Sequence, residues 1–93
     1  MLGTAPRSFC ALRLYPSDIG TSAGLVTDET ARVLESDSRP IAGLYACGND
    51  MQSIMGGTYP GPGITLGPAL AFAYLAASDA TAMLAAEASG LSR

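Results

Sequence analysis

Apolar and polar positions come in short blocks through the first half of the chain and merge into one long apolar run in the second. Ser8 to Tyr15 reads S-F-C-A-L-R-L-Y, mixes aromatic with aliphatic residues, ends at Pro16, and predicts a strand. P-S-D-I-G follows and has turn chemistry throughout. G-L-V-T-D (Gly24 to Asp28) and A-R-V-L-E (Ala31 to Glu35) are short β-type runs around Asp28-Glu29-Thr30, which predicts a hairpin. S-D-S-R-P is a second polar turn, and Thr21 and Ser22 also fit turn formation. G-L-Y-A-C-G (Gly43 to Gly48) is an apolar run bounded by glycines, the pattern of a strand buried on both faces.

The second half predicts a single helix from about Leu66 to Ala88, with Thr65 as N-cap, Pro68 at the third helical position and Gly90 as a stop. A proline there costs little, because the first helical N–H groups have no partner within the helix. Leu66, Leu70, Ala73 and Ala77 share one face, while Phe72, Leu75 and Ala76 cover others. A helix apolar on all sides is buried on all sides, which one hairpin and one strand cannot achieve. The almost unbroken apolar run from Ile64 to Ala77 stops at Ser78-Asp79, short of the roughly 20 residues of a bilayer span, so no membrane span is expected.

Composition sharpens this picture. Ninety-three residues make one small domain or a piece of a larger one, and 48% hydrophobic with 14% charged is apolar for that length. Five scattered arginines, no lysine and a net charge of −3 leave no basic patch, which argues against a nucleic-acid partner. With no histidine, and with Cys10 and Cys47 far apart, no metal site is expected. Both cysteines lie among apolar neighbours and read as small buried hydrophobes of a reduced, cytoplasmic protein. Met1 to Ser8 lacks the apolar segment of a signal peptide.

The candidate chemistry lies in G-G-T-Y-P-G-P-G, Gly56 to Gly63. Its prolines carry no N–H, so beyond Tyr59 the backbone donors are those of Gly61 and Gly63. Two readings fit: a stiff connection with a packed tyrosine, or a loop whose phenol and amide converge to polarise a carbonyl oxygen. The helix after it offers unpaired N–H groups and partial positive charge to a ligand atom that is or becomes negative, such as a phosphate or the pyrimidine edge of a reduced flavin. Gly61, Gly63 and Gly67 are spaced one residue too long for a dinucleotide fingerprint, and a P-loop lysine is lacking. Asn49 and Asp50 fit either a polar turn or a ligand contact at the carboxyl end of a strand.

The stretch from Gly43 to Ala77, with its G-L-Y-A-C-G and Y-P-G-P-G-I-T-L-G-P motifs, resembles the C-terminal flavin-binding segment of the FAD-dependent 3-ketosteroid dehydrogenase group. That group sits in the wider family of fumarate reductase and succinate dehydrogenase flavoproteins, and the likeness extends upstream to about Phe9. The first motif is specific to the wider family and the second to the ketosteroid branch. The resemblance implies an α/β fold: the C-terminal fragment of a Rossmann-like FAD-binding domain. Residues 1–93 then form one partial domain, with strands and a β-hairpin over 8–47, a cofactor and substrate loop over 48–63, and a helix over 64–88. It implies FAD as cofactor and a small, steroid-like ketone as substrate. Tyr59 and Gly63 are then catalytic: hydroxyl and backbone amide hold the C3 carbonyl, while a tyrosine elsewhere takes the C2 proton and hydride leaves C1 for the flavin. Gly48, Asn49 and Asp50 are implied along the ribityl chain, and Ile64, Thr65 and Leu66 at the pyrimidine edge.

Two departures from the resemblance matter. The wider family has H-T-M-G-G where this chain reads G-T-S-A-G, so Gly20 stands for a histidine that helps hold a dicarboxylate, and Asp18 nearby repels one. A neutral ketone fits better. The diphosphate-binding G-x-G-x-x-G unit and the domain supplying the proton-abstracting tyrosine are also missing from these 93 residues. The expected partner is therefore the missing N-terminal flavoprotein portion or a separate chain. The rival expectation is a catalytically inactive chain that docks on a partner flavoprotein through its apolar helix.

Overall fold

The computed structural model describes residues 7–90. Two strands, β1 (Arg32–Leu34) and β2 (Pro40–Tyr45), pair antiparallel; a 3-10 turn (Gly48–Asp50) follows, and then the helix α1 (Leu66–Gly90).

Asp28 organises the first turn. Its Oδ1 accepts from the Thr30 N–H (3.0 Å), the Thr30 hydroxyl (2.9 Å) and the Arg32 N–H (3.0 Å), and its Oδ2 from Arg32 Nε at 2.7 Å. The chain reverses at Ala31 in the left-handed region (φ 67°), and Thr27 faces Val33 across the turn. The second turn repeats the device: the Ser38 N–H donates to Glu35 C=O, Ser38 has φ 67°, and Asp37 clamps Arg39. A tight turn followed by one left-handed residue is a common way to close a short hairpin. The hairpin read around Asp28-Glu29-Thr30 and the S-D-S-R-P turn are therefore present, whereas P-S-D-I-G shows only a bend at Ile19.

Partial burial of the Asp28 carboxyl opposes its ionisation. Hydrogen bonds from the Arg32 N–H, the Thr30 hydroxyl and N–H, and the Arg32 guanidinium outweigh that, so the group titrates below its ordinary value. A depressed carboxylate stabilises the fold above its unfolded pKa and loses that contribution as pH falls through the folded pKa. Acidification is therefore expected to lower the amide protection factors at Thr30 and Arg32, that is, exchange relative to the intrinsic rate at each pH. In Asp28→Asn that acid-dependent loss should vanish, because no carboxylate remains to titrate; an unchanged pH profile in the variant would refute the assignment.

β2 bulges against β1. Arg32 faces Tyr45 and Leu34 faces Pro40, so one intervening residue of β1 opposes four of β2, with Gly43 at φ 76° among them. The strand begins earlier than G-L-Y-A-C-G suggests and ends at Tyr45. It is also not buried on both faces: Ala42, Gly43 and Leu44 are exposed, because β2 has a neighbour on one edge only among the described residues.

Residues 22–25 lie alongside residues 50–53. The Leu25 N–H donates to Asp50 C=O (2.9 Å), the Gln52 N–H to Leu25 C=O (2.9 Å) and the Ser53 N–H to Ser22 C=O (3.0 Å), around a parallel bridge between Leu25 and Met51. Gly24 permits this approach. A Cβ there would stand 2.7 Å from the Met51 carbonyl carbon and 2.8 Å from the Asp50 oxygen, both backbone atoms. Gly24→Ala is expected to break the two Leu25 bonds at a cost of about 2 kcal/mol, seen as faster hydrogen exchange at Leu25 and Gln52. Preserved protection at both amides would count against the steric argument.

The core is small. Ala31, Val33, Ala46 and Met51 are buried; Ile41 and the helical Phe72 pack against the cluster formed by the last three. A second tie joins helix to sheet, where the Tyr45 hydroxyl donates to Asp79 Oδ2 at 2.7 Å. Hydrogen bonding to that carboxylate holds the phenol above its ordinary pKa.

Three expectations need correction. Ser8–Tyr15 is not a strand: it lies exposed, Phe9 at 89%, with no strand beside it among the described residues to pair its backbone. Cys10 is exposed with it, although Cys47 is half-buried; both thiols are free. No residue of α1 is fully buried. The helix is also longer than the apolar run suggested. Its 25 residues span about 37 Å, and by length and composition alone it could cross a membrane.

The accessible surface is 7538 Å², where a compact monomer of 9.4 kDa exposes about 5000 Å². The radius of gyration, 21.7 Å, compares with about 12 Å for a compact domain of this length. Apolar surface that the sequence assigns to an interior stands open here.

Candidate functional site

The loop after β2 reaches the helix through a series of self-closing turns. The Met55 N–H donates to Ser53 Oγ (3.1 Å), the Gly56 N–H to Ser53 C=O (3.2 Å) and the Thr58 hydroxyl to Met55 C=O (2.9 Å). At the helix start the Gly67 N–H donates to Gly63 C=O at 2.8 Å. Gly63 has φ 91°, with nothing within 4 Å of where a Cβ would stand. Its glycine is needed for backbone conformation rather than for space.

These turns enclose a cleft of about 310 Å³, lined by residues 19–22, 48–49, 51–59, 64–65 and Pro68. Of the residues expected in a site, Gly48, Asn49, Tyr59, Ile64 and Thr65 come together here. Gly48, at φ 66°, turns the chain into the 3-10 segment and lies against the helix, where a Cβ would meet Ala69 at 3.4 Å. Tyr59 is 59% exposed. Among the described residues, neither its hydroxyl nor the Gly63 N–H has a hydrogen-bond partner in the chain.

Three expected residues do not line this cleft. Gly63 lies in the loop just before Ile64, with only its neighbours on the wall. Asp50 borders a second hollow with Leu25, Tyr45, Ala46, Cys47 and Ala76. Leu66 is 68% exposed at the helix start. Conversely, Ile19, Gln52 and Ser53 line the cleft without having been singled out as ligand contacts, and Gly20, noted only for the histidine it replaces, lines it too. Paired glycines at 20 and 24 were the available signal, since small residues at close spacing often mark backbone approach.

No lining residue is acidic or basic, so the helix N-terminus is the nearest fixed source of positive potential. Hydroxyls and carboxamides alternate with isoleucine and methionine along the walls. Such walls suit an uncharged ligand with an apolar body and polar edges, and a flavin ring with its polyol chain has that character. At about 310 Å³ the cleft sits at the small end of ligand pockets, enough for part of a dinucleotide. Among the described residues no cluster of side chains could hold a metal ion.

Residues 3–66 match the FAD binding domain family, and the chain belongs to it. Its similarity within that family is to the FAD-dependent 3-ketosteroid dehydrogenase group. A 3-oxosteroid 1-dehydrogenase of Mycolicibacterium smegmatis is 50% identical over 82 residues, 88% of this chain and 14% of the relative. A 4-oxocyclohexanecarboxylate 2-dehydrogenase of Sinomonas cyclohexanicum is 48% identical over 68 residues, 73% of this chain and 12% of the relative. The crystal structure of 3-ketosteroid Δ1-dehydrogenase from Sterolibacterium denitrificans, in complex with 1,4-androstadiene-3,17-dione, superposes with a TM-score of 0.68 at 55% identity. The match covers 71% of this chain and 12% of that one. The chain thus spans about an eighth of the length of these relatives. FAD is the cofactor of the family, and these homologues are oxidoreductases.

Proposed function

We propose that this chain supplies the carbonyl-holding and flavin-facing part of an oxidoreductase that desaturates a ring ketone, of the 3-ketosteroid Δ1-dehydrogenase type. The observation that carries the reading is the cleft: Tyr59 shares it with Gly48, Asn49, Ile64 and Thr65, and the Tyr59 hydroxyl has no partner of its own among the described residues.

In this reading the Tyr59 hydroxyl and the Gly63 N–H donate to the ketone oxygen. Negative charge gathers on that oxygen as the adjacent C–H loses its proton, and donors fixed in advance stabilise it without reorganising. Gly63 suits the role because its φ presents the amide in a conformation that other residues adopt only with strain. Asn49 and Gly48 face the flavin's polyol, Ile64 and Thr65 its pyrimidine edge, and FAD when bound supplies the hydride acceptor. The proton-abstracting tyrosine comes from outside the motif. The Rossmann-like remainder of the domain, with its diphosphate site, belongs to the rest of the flavoprotein, joined to this segment or supplied as a partner chain.

A second substrate class has specific support, since a cyclohexanone carboxylate dehydrogenase is nearly as similar as the steroid enzymes. The uncharged lining favours a neutral ketone, because a carboxylate in the cleft would meet no cation. The deciding experiment joins this chain to the remaining part of the Mycolicibacterium smegmatis relative and assays two substrates with an artificial electron acceptor. Turnover of a 3-ketosteroid over 4-oxocyclohexanecarboxylate is expected; the reverse preference would move the assignment to the smaller ketone, and no turnover of either would reject it.

A further inference from the structure

The wall of the cleft formed by Ile19 and Gly20 plays no part in the reading above. Asn49 Nδ2 donates to the Ile19 carbonyl at 3.0 Å, across 30 residues of sequence. That bond fixes which end of the carboxamide is donor and which is acceptor. Among the described residues no protein donor reaches Asn49 Oδ1. A carboxamide oxygen so placed on a cleft wall can accept from the O–H of a bound ligand.

Gly20 makes this orientation possible. A Cβ there would stand 2.5 Å from Asn49 Oδ1, 3.0 Å from Cγ and 3.2 Å from Nδ2. All three atoms of the amide head are crowded, so something must shift, and the end of the flexible Asn49 side chain gives most readily, disturbing its bond to the Ile19 carbonyl. Gly20 is absent from the positive-φ glycines, so its position requires space rather than a special backbone conformation.

We infer that Gly20 is a positioning residue: its missing side chain lets the Ile19 carbonyl hold the Asn49 amide with Oδ1 available to a hydroxyl-bearing ligand. The identity of that ligand, a flavin's polyol, rests on the proposed function; the positioning does not.

The test uses the full chain, labelled with ¹⁵N, and follows the two Asn49 side-chain N–H signals by NMR. In the native sequence they are expected to be distinct and protected from exchange. Gly20→Ala should collapse them to the values of an unrestrained asparagine, while Thr21→Ala, on the same wall, leaves them unchanged. The backbone amides of Ala31 and Ala46 report on the fold away from the cleft. An unrestrained Asn49 amide in the native chain overturns the inference, as does an unaltered one in Gly20→Ala. Loss of the Ala31 and Ala46 signals in that variant also overturns it, since Gly20 would then act on the fold. Titration with FAD, carried out on the labelled chain assembled with the remaining part of the Mycolicibacterium smegmatis relative, separates the two readings. FAD-induced shifts at Asn49, with about 3- to 10-fold weaker binding in Gly20→Ala, support both. Release of the amide without any FAD response leaves the positioning intact and counts against the flavin.

Discussion

Tyr59→Phe is expected to lower 3-ketosteroid turnover by about 10²–10³-fold in a flavoenzyme completed with this chain. The substitution removes one oxygen and leaves the ring, so packing changes little; Tyr59 is more than half exposed, and its hydroxyl has no hydrogen bond to lose among the described residues. A loss of that size, with flavin content unchanged, would locate the effect in the developing charge on the ketone oxygen. The companion donor is a backbone amide that side-chain replacement cannot delete, so Gly63→Ala tests it only through conformation, at φ 91°. Turnover of Tyr59→Phe within a few-fold of the parent would remove Tyr59 from the mechanism.

The second large effect concerns assembly. Alone, the chain is expected to purify without stoichiometric yellow colour, because its cleft accommodates only part of a dinucleotide and no diphosphate fingerprint occurs in its sequence. Expressed beside the Mycolicibacterium smegmatis relative deprived of its matching segment, it should restore flavin binding from near zero to about one per complex. The driving force is the roughly 2500 Å² of surface beyond that of a compact monomer. A glutamate at Leu70 and another at Tyr74, both exposed on α1, should abolish the restoration. Tight flavin binding by the chain alone would show that the site needs no further protein.

Local signals were read correctly where local chemistry decides the structure. Asp28-Glu29-Thr30 forms a turn because the Asp28 carboxylate satisfies four nearby donors without help from elsewhere. The helix begins at Leu66, directly after Thr65, and carries Pro68 in its first turn as expected. Signals that depend on neighbours were misread. Ser8–Tyr15 has strand composition, yet a strand exists only when another pairs with it. G-L-Y-A-C-G looks doubly buried because its composition suits an environment broader than these residues provide. At the site, Tyr59 and Asn49 were legible as chemistry and Gly20 as a missing histidine, but the pairing of Gly20 with Asn49 was not. The importance of Gly20 lies in the absence of a side chain opposite a residue 29 positions away, and only coordinates reveal such a pairing.

The hydrogen bond between Tyr45 and Asp79 has a bearing on where α1 can reside. Asp79 falls one residue past the midpoint of the 25-residue helix. At that depth in a bilayer an aspartate costs about 2.5–3.5 kcal/mol, whereas each Leu or Phe returns only about 0.3–0.6 kcal/mol. The four leucines and one phenylalanine of α1 together offset at most this single acid, and Glu87 adds to the cost. The carboxylate that accepts the Tyr45 hydrogen bond thus also weighs against placing this segment of membrane length in lipid.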